Sequence, residues 1–120
     1  MKPYQDARVE GEKLAKQYAE LEQADQVDFY NGLEGYYSVL GYNKKQEAIA
    51  VLIEKNDHKI YVYQLDKGIS QDKAVTISKE KGASDIDKVT FGRYQDKPIW
   101  EVKSGNQYYL VDFETGAVIQ

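Results

Sequence analysis

Few side chains in this sequence could do chemistry, and the single histidine is the first to consider. His58 could act as a general base or bind a metal ion. It stands between Asp57 and Lys59, in a stretch typical of a polar turn. The sequence has no cysteine and no second histidine to complete a transition-metal site. We therefore interpret His58 as a turn residue and predict that no metal is bound.

The carboxylates and hydroxyls also lack a catalytic arrangement. Asp85 and Asp87 could hold a hard cation, but the D-x-D-x-D-G spacing of calcium loops is absent. A glycosidase-type carboxylate pair stays open as an alternative without specific support. No serine lies in a G-x-S-x-G or S-x-x-K pattern, and no glycine pattern resembles a phosphate-binding loop. The sequence thus favours a protein that is not an enzyme and needs no cofactor.

Tyrosine is the compositional outlier, at 11 of 120 residues. Tyrosine fills cores and favours strands, but it is also enriched at binding surfaces. Strand alternation separates an inward set from an outward one. The side chains predicted to point toward the core are those of Trp100, Val102 and Tyr109. Tyr37 joins them through the repeat described below, and Val62 is also predicted to point inward. The outward set is the candidate protein-interaction surface, covered by the other half of the chain or by a partner: Tyr36, Tyr61, Tyr63, Tyr108 and Leu110.

Composition excludes several classes of partner. The net charge is −4 and the pI is about 5.0, without a basic cluster. Nucleic acids, anionic lipids and anionic wall polymers all require such a cluster. Hydrophobic residues make up 42% and charged residues 30%, as in ordinary globular domains. No apolar run approaches the ~20 residues of a membrane span.

The two halves of the chain repeat one pattern. Val27-Asp28-Phe29 matches Val89-Thr90-Phe91, and Tyr37-Ser38-Val39 matches Trp100-Glu101-Val102. Each half is predicted to be a helix followed by three short strands, which is an α+β unit. The short junction Asp66-Lys67-Gly68 divides the chain into residues 1–65 and 66–120.

Apolar periodicity and turn residues place the individual elements. Residues 5–23 are predicted to be an amphipathic helix, with a stripe of Ala7, Gly11, Leu14, Ala15, Tyr18 and Leu21. A second helix is expected to begin after an N-cap at Ser70 and to end near Gly82. Strand signals lie at 26–29, 36–40, 48–53, 60–65, 88–91, 98–103 and 107–113. Turns are predicted at 31–32, 55–58, 104–106 and 114–116.

The end of the second half resembles a known domain. Val111-Asp112-Phe113-Glu114-Thr115-Gly116-Ala117-Val118 is similar to the V-D-x-x-T-G-x-V hairpin of the PepSY domain. The first half is similar to the YpmB-like family, also called TseB-like, in Asp25 to Gly32 and Tyr36 to Gly41. Lys59 to Tyr63 and Pro98 to Val102 extend this resemblance over essentially the whole chain.

The resemblance implies both a fold and a function. It implies two tandem cystatin-like modules, each one helix on a small antiparallel sheet, the second being a PepSY domain. Members of the family are Gram-positive, membrane-anchored, extracytoplasmic proteins tied to cell-wall elongation through a penicillin-binding protein. This chain lacks the N-terminal anchor, so we expect it to be the outer fragment. The alternative is a PepSY-type peptidase-inhibiting or chaperone-like module.

Overall fold

The computed structural model describes residues 3–31 and 35–119, with side chains described from residue 9 onward. The chain separates into two compact units, Met1–Leu65 and Asp66–Gln120. The elements are α1 (Pro3–Tyr18), β1 (Leu21–Asn31), β2 (Gly35–Asn43), β3 (Ala48–Glu54), β4 (Ile60–Gln64), a 3₁₀ turn (Leu65–Lys67), α2 (Gln71–Glu80), β5 (Lys88–Tyr94), β6 (Lys97–Ser104) and β7 (Gln107–Asp112). Each unit is a helix followed by an antiparallel sheet, which confirms the predicted α+β class.

The first unit contains a four-stranded antiparallel sheet in the order β1-β2-β3-β4. The general pattern of three strands per half is therefore wrong for this unit, whereas the four individual strand signals before residue 66 each fall on an observed strand. The hairpin between β3 and β4 forms where it was predicted, because Lys55, Asn56 and Asp57 turn the chain and His58 takes a positive φ of 56°. In the turn expected at residues 31–32, Asn31 ends β1 and Gly32 lies outside the described residues, as does the side chain of Ala7.

Helix α1 ends five residues earlier than the predicted 23. The amide of Ala19 makes the last helical hydrogen bond, to Ala15 O at 3.0 Å, and Glu20 then has a φ of 57°. A left-handed residue of this kind ends a helix. Leu21 starts β1 and pairs with Asn43, yet it still reaches the core at 3% exposure. The apolar stripe continued across the helix end because strand and helix share one core.

The side of the first sheet that faces α1 has an aliphatic core. Its buried members are Ala15, Leu21, Val27, Val39, Ile49, Val51 and Ile53. Leu14, Tyr37 and Ile60 pack against them. Gly11 is buried, and a Cβ at this position would lie only 3.0 Å from Tyr37 Cβ. The absence of a side chain at Gly11 thus lets α1 lie close to β2.

The second unit begins with the capped helix that the sequence predicted. The Ser70 side chain accepts a hydrogen bond from the Lys73 amide at 3.0 Å. The helix ends at Glu80, and Gly82 follows with a φ of 115°, a region that favours glycine. Both helix ends are therefore fixed by local sequence.

The second sheet, in the order β5-β6-β7, packs an aromatic cluster beneath α2. Trp100 is 2% exposed, as predicted, and its ring lies 4.9 Å from Phe91 and 6.5 Å from Phe113, between centroids. The indole N–H donates to Ile69 O at 3.0 Å. This bond satisfies the only polar atom of the buried indole.

The repeated sequence segments occupy equivalent places in the two sheets. Val27 pairs with Val39 across β1 and β2, and Val89 pairs with Val102 across β5 and β6. The position of β4 is taken in the second unit by a single bridge between Val111 and Val118. The two units thus share one hairpin register and differ in their last strand.

Candidate protein-interaction surface

The residues that could have done chemistry hold turns together in the structure. His58 is exposed in the β3–β4 turn, and its amide donates to Glu54 O at 2.8 Å. Asp87 Oδ2 accepts from the Gly105 amide at 2.8 Å and fixes the β6–β7 turn. In the described part of the chain, no group of three or more histidine, cysteine or carboxylate residues could hold a metal ion.

The D-x-x-T-G segment has a defined structural role. Asp112 Oδ1 accepts hydrogen bonds from the amides of Glu114 at 2.8 Å and Thr115 at 3.1 Å. Thr115 Oγ1 accepts from the Ala117 amide at 3.2 Å, and Gly116 has a φ of 80°. The segment therefore forms a side-chain-stabilised turn that returns the chain along β7.

Three of the candidate tyrosines share one face of the first sheet, the face opposite α1. The register pairs Tyr36 with Glu54, Tyr61 with Leu52 and Tyr63 with Ala50. The rings of Tyr36 and Tyr61 meet edge to face, with centroids 6.3 Å apart. The structure thus brings together the three tyrosines that the alternation grouped.

Two candidates are buried within the chain and offer a partner no exposed side chain. Tyr36 is 3% exposed, and its ring lies 6.3 Å from that of Tyr61 and 6.3 Å from that of Tyr30. Leu110 is 6% exposed. The chain end lies along its strand, where the Ile119 amide donates to Leu110 O at 2.7 Å. Both residues belong to the interior.

The outer strand β4 also departs from the prediction in its exposure. Val62 pairs with Val51 and so points to the α1 side as expected, but it is 49% exposed. The reason is that α1 packs mainly on β1, β2 and β3. Tyr61 and Tyr63, on the opposite side, are half-buried rather than fully outward.

Tyr108 remains an exposed candidate in the second unit. Its side chain is 52% exposed, and it pairs with Lys103, which in turn pairs with Lys88. Further along the same face, burial raises the pKa of Glu101, an effect that the charge of Lys88 partly opposes. This face is therefore mixed in charge around one exposed aromatic ring.

Sequence reasoning missed two residues on the tyrosine face of the first sheet. Tyr30 is 2% exposed and pairs with Tyr36, and Glu54 is 8% exposed beside it. The sequence did carry a signal for Tyr30. It lies two residues from Asp28 along β1, and this spacing places it on the face that Tyr36 shares. No such signal indicated that a carboxylate would be buried.

A shallow hollow opens on the α1 side of the first unit, beside the start of β4. It has a volume of about 220 Å³ and is lined by Leu14, Tyr18, Ile53, His58 and Ile60. Its rim is open to solvent, since Tyr18 is 60% exposed. Within the described residues, no helix has the length and apolar character required to cross a membrane.

Known proteins with similar sequence and structure identify the family. A family model described as "Cell wall elongation regulator TseB-like domain" matches residues 10–54. A Bacillus subtilis (strain 168) protein described as "Probable cell wall elongation regulator TseB" is 38% identical over 114 residues, covering 88% of this chain and 70% of that protein. The chain belongs to the TseB-like family of cell wall elongation regulators.

The fold of a TseB-like protein extends over both units. The solved structure of the YpmB protein from Bacillus subtilis matches with a TM-score of 0.78 and 33% identity. The match covers 100% of this chain and 96% of that one. The resemblance inferred from the sequence is thereby confirmed at the level of the family, while the family model itself lies within the first unit.

Proposed function

We propose that this TseB-like chain is a non-enzymatic, extracytoplasmic protein-binding module that regulates cell-wall elongation through a penicillin-binding protein. Its membership of a family of cell wall elongation regulators supports the process. The resemblance adds three further features to this proposal: a penicillin-binding protein as partner, an extracytoplasmic location and an N-terminal membrane anchor. Residues 66–120 would then be a PepSY domain.

We propose one partner contact on each unit, Tyr61 and Tyr63 on the first and Tyr108 on the second. The observation that carries it is the exposure of Tyr108 and the partial exposure of Tyr61 and Tyr63 on strands that end their sheets. Tyrosine covers a large contact area at a low entropic cost, which is why it is enriched at interfaces. The polar residues that could react instead stabilise turns, since the carboxylates of Asp87 and Asp112 accept hydrogen bonds from turn amides.

A binding titration tests this function. The whole chain would be titrated against purified extracytoplasmic domains of the elongation penicillin-binding proteins. We expect saturable binding, weakened roughly tenfold, or about 1.4 kcal/mol, by each of Tyr61→Ser, Tyr63→Ser and Tyr108→Ser. The matched control is Tyr18→Ser, since Tyr18 is 60% exposed on α1, on the side of the sheet away from the tyrosine face.

The outcomes separate the main proposal from its alternative. Binding unaffected by the three variants, with unaltered melting, would place the interface elsewhere. A steep fall in melting temperature for each variant would make these tyrosines structural. A peptidase-inhibiting module would instead show no binding to a penicillin-binding protein and would slow the cleavage of a peptide substrate by a peptidase.

A further inference from the structure

The described part of the chain presents four sheet edges, and three of them carry features that discourage pairing with another strand. β1 has two register shifts and three acidic residues, Glu22, Asp25 and Asp28. β5 carries Lys88 and Arg93. Register shifts and charged side chains are the usual protection of an edge.

The third protected edge is that of β7, which is followed on its outer side by the end of the chain. The Ile119 amide donates to Leu110 O at 2.7 Å, and the Asp112 amide donates to Ala117 O at 2.8 Å. These bonds occupy outward-facing groups of β7 that another strand would otherwise use. The edge is therefore covered from within the unit.

The edge strand β4 has none of these features. Its sequence, Ile60–Gln64, contains no charged residue, proline or glycine. It pairs with β3 one to one, without a register shift, from Ile49↔Gln64 to Ile53↔Ile60. A regular, uncharged edge is a template on which another strand can add.

The hairpin geometry shows which backbone groups of β4 face outward. Glu54 N donates to Lys59 O at 2.8 Å, so residue 59 directs its carbonyl toward β3. Residues alternate along an antiparallel strand between bonding inward and outward. Ile60, Val62 and Gln64 therefore turn their amides and carbonyls away from β3, with Val62 at the centre.

Apolar surface continues from this edge onto the α1 side. Val62 is 49% exposed there, and the hollow lined by Tyr18 and Ile60 opens beside the first residue of the strand. A strand added next to β4 would alternate its side chains between the two faces. Those on the α1 side would cover Val62 and approach the hollow.

The sequence of β4 is nearly symmetric about Val62, and this symmetry indicates the occupant. Tyr61 and Tyr63 flank the valine, and Ile60 and Gln64 lie outside them. In an antiparallel pair of identical strands with the twofold axis at Val62, each Tyr61 faces Tyr63 of the second copy. Because the strand has no charge, no like charges oppose each other.

We propose that β4 is the contact strand of a twofold-symmetric homodimer of this chain. The Val62 N–H of each copy donates to the Val62 C=O of the other, and the two sheets join into one. Such a contact is isologous, as in most homodimers. The proposal does not depend on the proposed function, but it would place four tyrosines, Tyr61 and Tyr63 of each copy, in one continuous row.

Sedimentation equilibrium of the whole chain over a range of concentrations tests the dimer. We expect a concentration-dependent dimer, strengthened by added salt because each copy carries a net charge of −4. Val62→Lys should raise the dissociation constant at least ~tenfold. Val62→Pro should do the same while the monomer keeps its fold, since the lost N–H points away from β3.

The control variant is Val9→Lys, which adds the same charge at a valine that is 67% exposed on α1. It should leave the dissociation constant unchanged, and thermal melting should show that all three variants stay folded. A wild-type chain that is monomeric throughout, or a dimer unaffected by Val62→Lys, would overturn the proposal. A monomer whose binding to a penicillin-binding protein is lost in Val62→Lys would also overturn it, and would assign the edge to that partner.

Cross-linking gives a second readout in this cysteine-free chain. Directly opposed residues that bond to each other have Cα atoms ~5.5 Å apart, within the range that a disulfide spans. Val62→Cys should therefore form a covalent dimer on oxidation, whereas Val9→Cys should not. Equal dimer yields from both variants would indicate random collision and would contradict the symmetric contact.

Discussion

The two units share a hairpin register and an aromatic pair on the helix side, but they differ on the face opposite the helix. In the second unit, Phe91, Trp100 and Phe113 form the core beneath the helix. In the first unit the equivalent Phe29 and Tyr37 meet edge to face, with centroids 5.8 Å apart, beside an aliphatic helix-side core. A row of tyrosines, Tyr30, Tyr36 and Tyr61, occupies the opposite face of that sheet. The repeat therefore preserves both the strand pairing and the helix-side rings, and the tyrosine row distinguishes the first unit.

The last strand differs as well. The first unit ends in the five-residue strand β4, and the second has only the bridge Val111↔Val118 at that place. A full strand leaves a row of outward amides and carbonyls, which a single bridge does not. The unit with the tyrosine row is thus also the unit with the open edge.

The largest expected effect tests the aromatic core of the second unit. Trp100→Ala removes the ring between Phe91 and Phe113 and leaves Ile69 O without its donor. We expect the free energy of unfolding of this unit to fall by about 3–5 kcal/mol, measured by urea denaturation. A loss under ~1 kcal/mol would show that the indole is not a core residue.

The next effect tests whether the centre of the tyrosine row is structural. Tyr36→Ser should lower the free energy of unfolding by about 2–3 kcal/mol, because a side chain that is only 3% exposed loses its contacts with Tyr30 and Tyr61. Tyr42→Ser, at a 38% exposed tyrosine of the same strand, should cost less than ~1 kcal/mol. Equal losses of unfolding free energy in the two variants would show that Tyr36, at the centre of the tyrosine row, is no more structural than Tyr42 at its margin.

A smaller effect tests the local signal that begins the second unit. Ser70→Ala removes the acceptor for the Lys73 amide and should lower the free energy of unfolding by about 1 kcal/mol. Ser70→Asp keeps an acceptor and adds a charge that favours the helix N-terminus, so it should retain stability. If both variants were equally destabilised in denaturation, the cap would not be the cause.

The smallest effect concerns the face of the second sheet opposite its aromatic core. Burial raises the pKa of Glu101 above the reference value of 4.5, so the folded state binds this proton more tightly than the unfolded state does. Its stabilising contribution is present below the unfolded pKa and is lost as the pH rises through the folded pKa. Glu101→Gln should therefore gain stability relative to wild type as the pH rises past 4.5 in a series of melting curves. A pH-independent difference would contradict the shift.

Much of the fold followed from local patterns in the sequence. The cap at Ser70, the glycine turns at Gly105 and Gly116, and the inward side of Trp100 all depend on neighbouring residues or strict alternation. The β5–β6 hairpin was missed because its turn residues Gln95 and Asp96 both have positive φ without being glycine or asparagine. Strand β5 therefore runs to Tyr94, beyond the predicted end at 91.

The candidate site was less predictable, because alternation gives the side of a sheet and not its exposure. Tyr36, Tyr61 and Tyr63 share the predicted face, but only contacts distant in sequence decide that Tyr36 is buried. Conversely, Val62 lies on the core side and is exposed, because α1 packs mainly on β1, β2 and β3. Exposure depends on how far the helix reaches over the sheet, which no single strand encodes.

Site-specific photo-cross-linking in cells tests whether these tyrosines contact a penicillin-binding protein. The protein would carry a photoreactive amino acid at Tyr61, Tyr63 or Tyr108, with Tyr18, 60% exposed on α1, as the control position. We expect a covalent adduct with a penicillin-binding protein from the first three positions and none from Tyr18. Adducts with that protein from Tyr18 alone, or adducts with a peptidase from all positions, would contradict the proposed function.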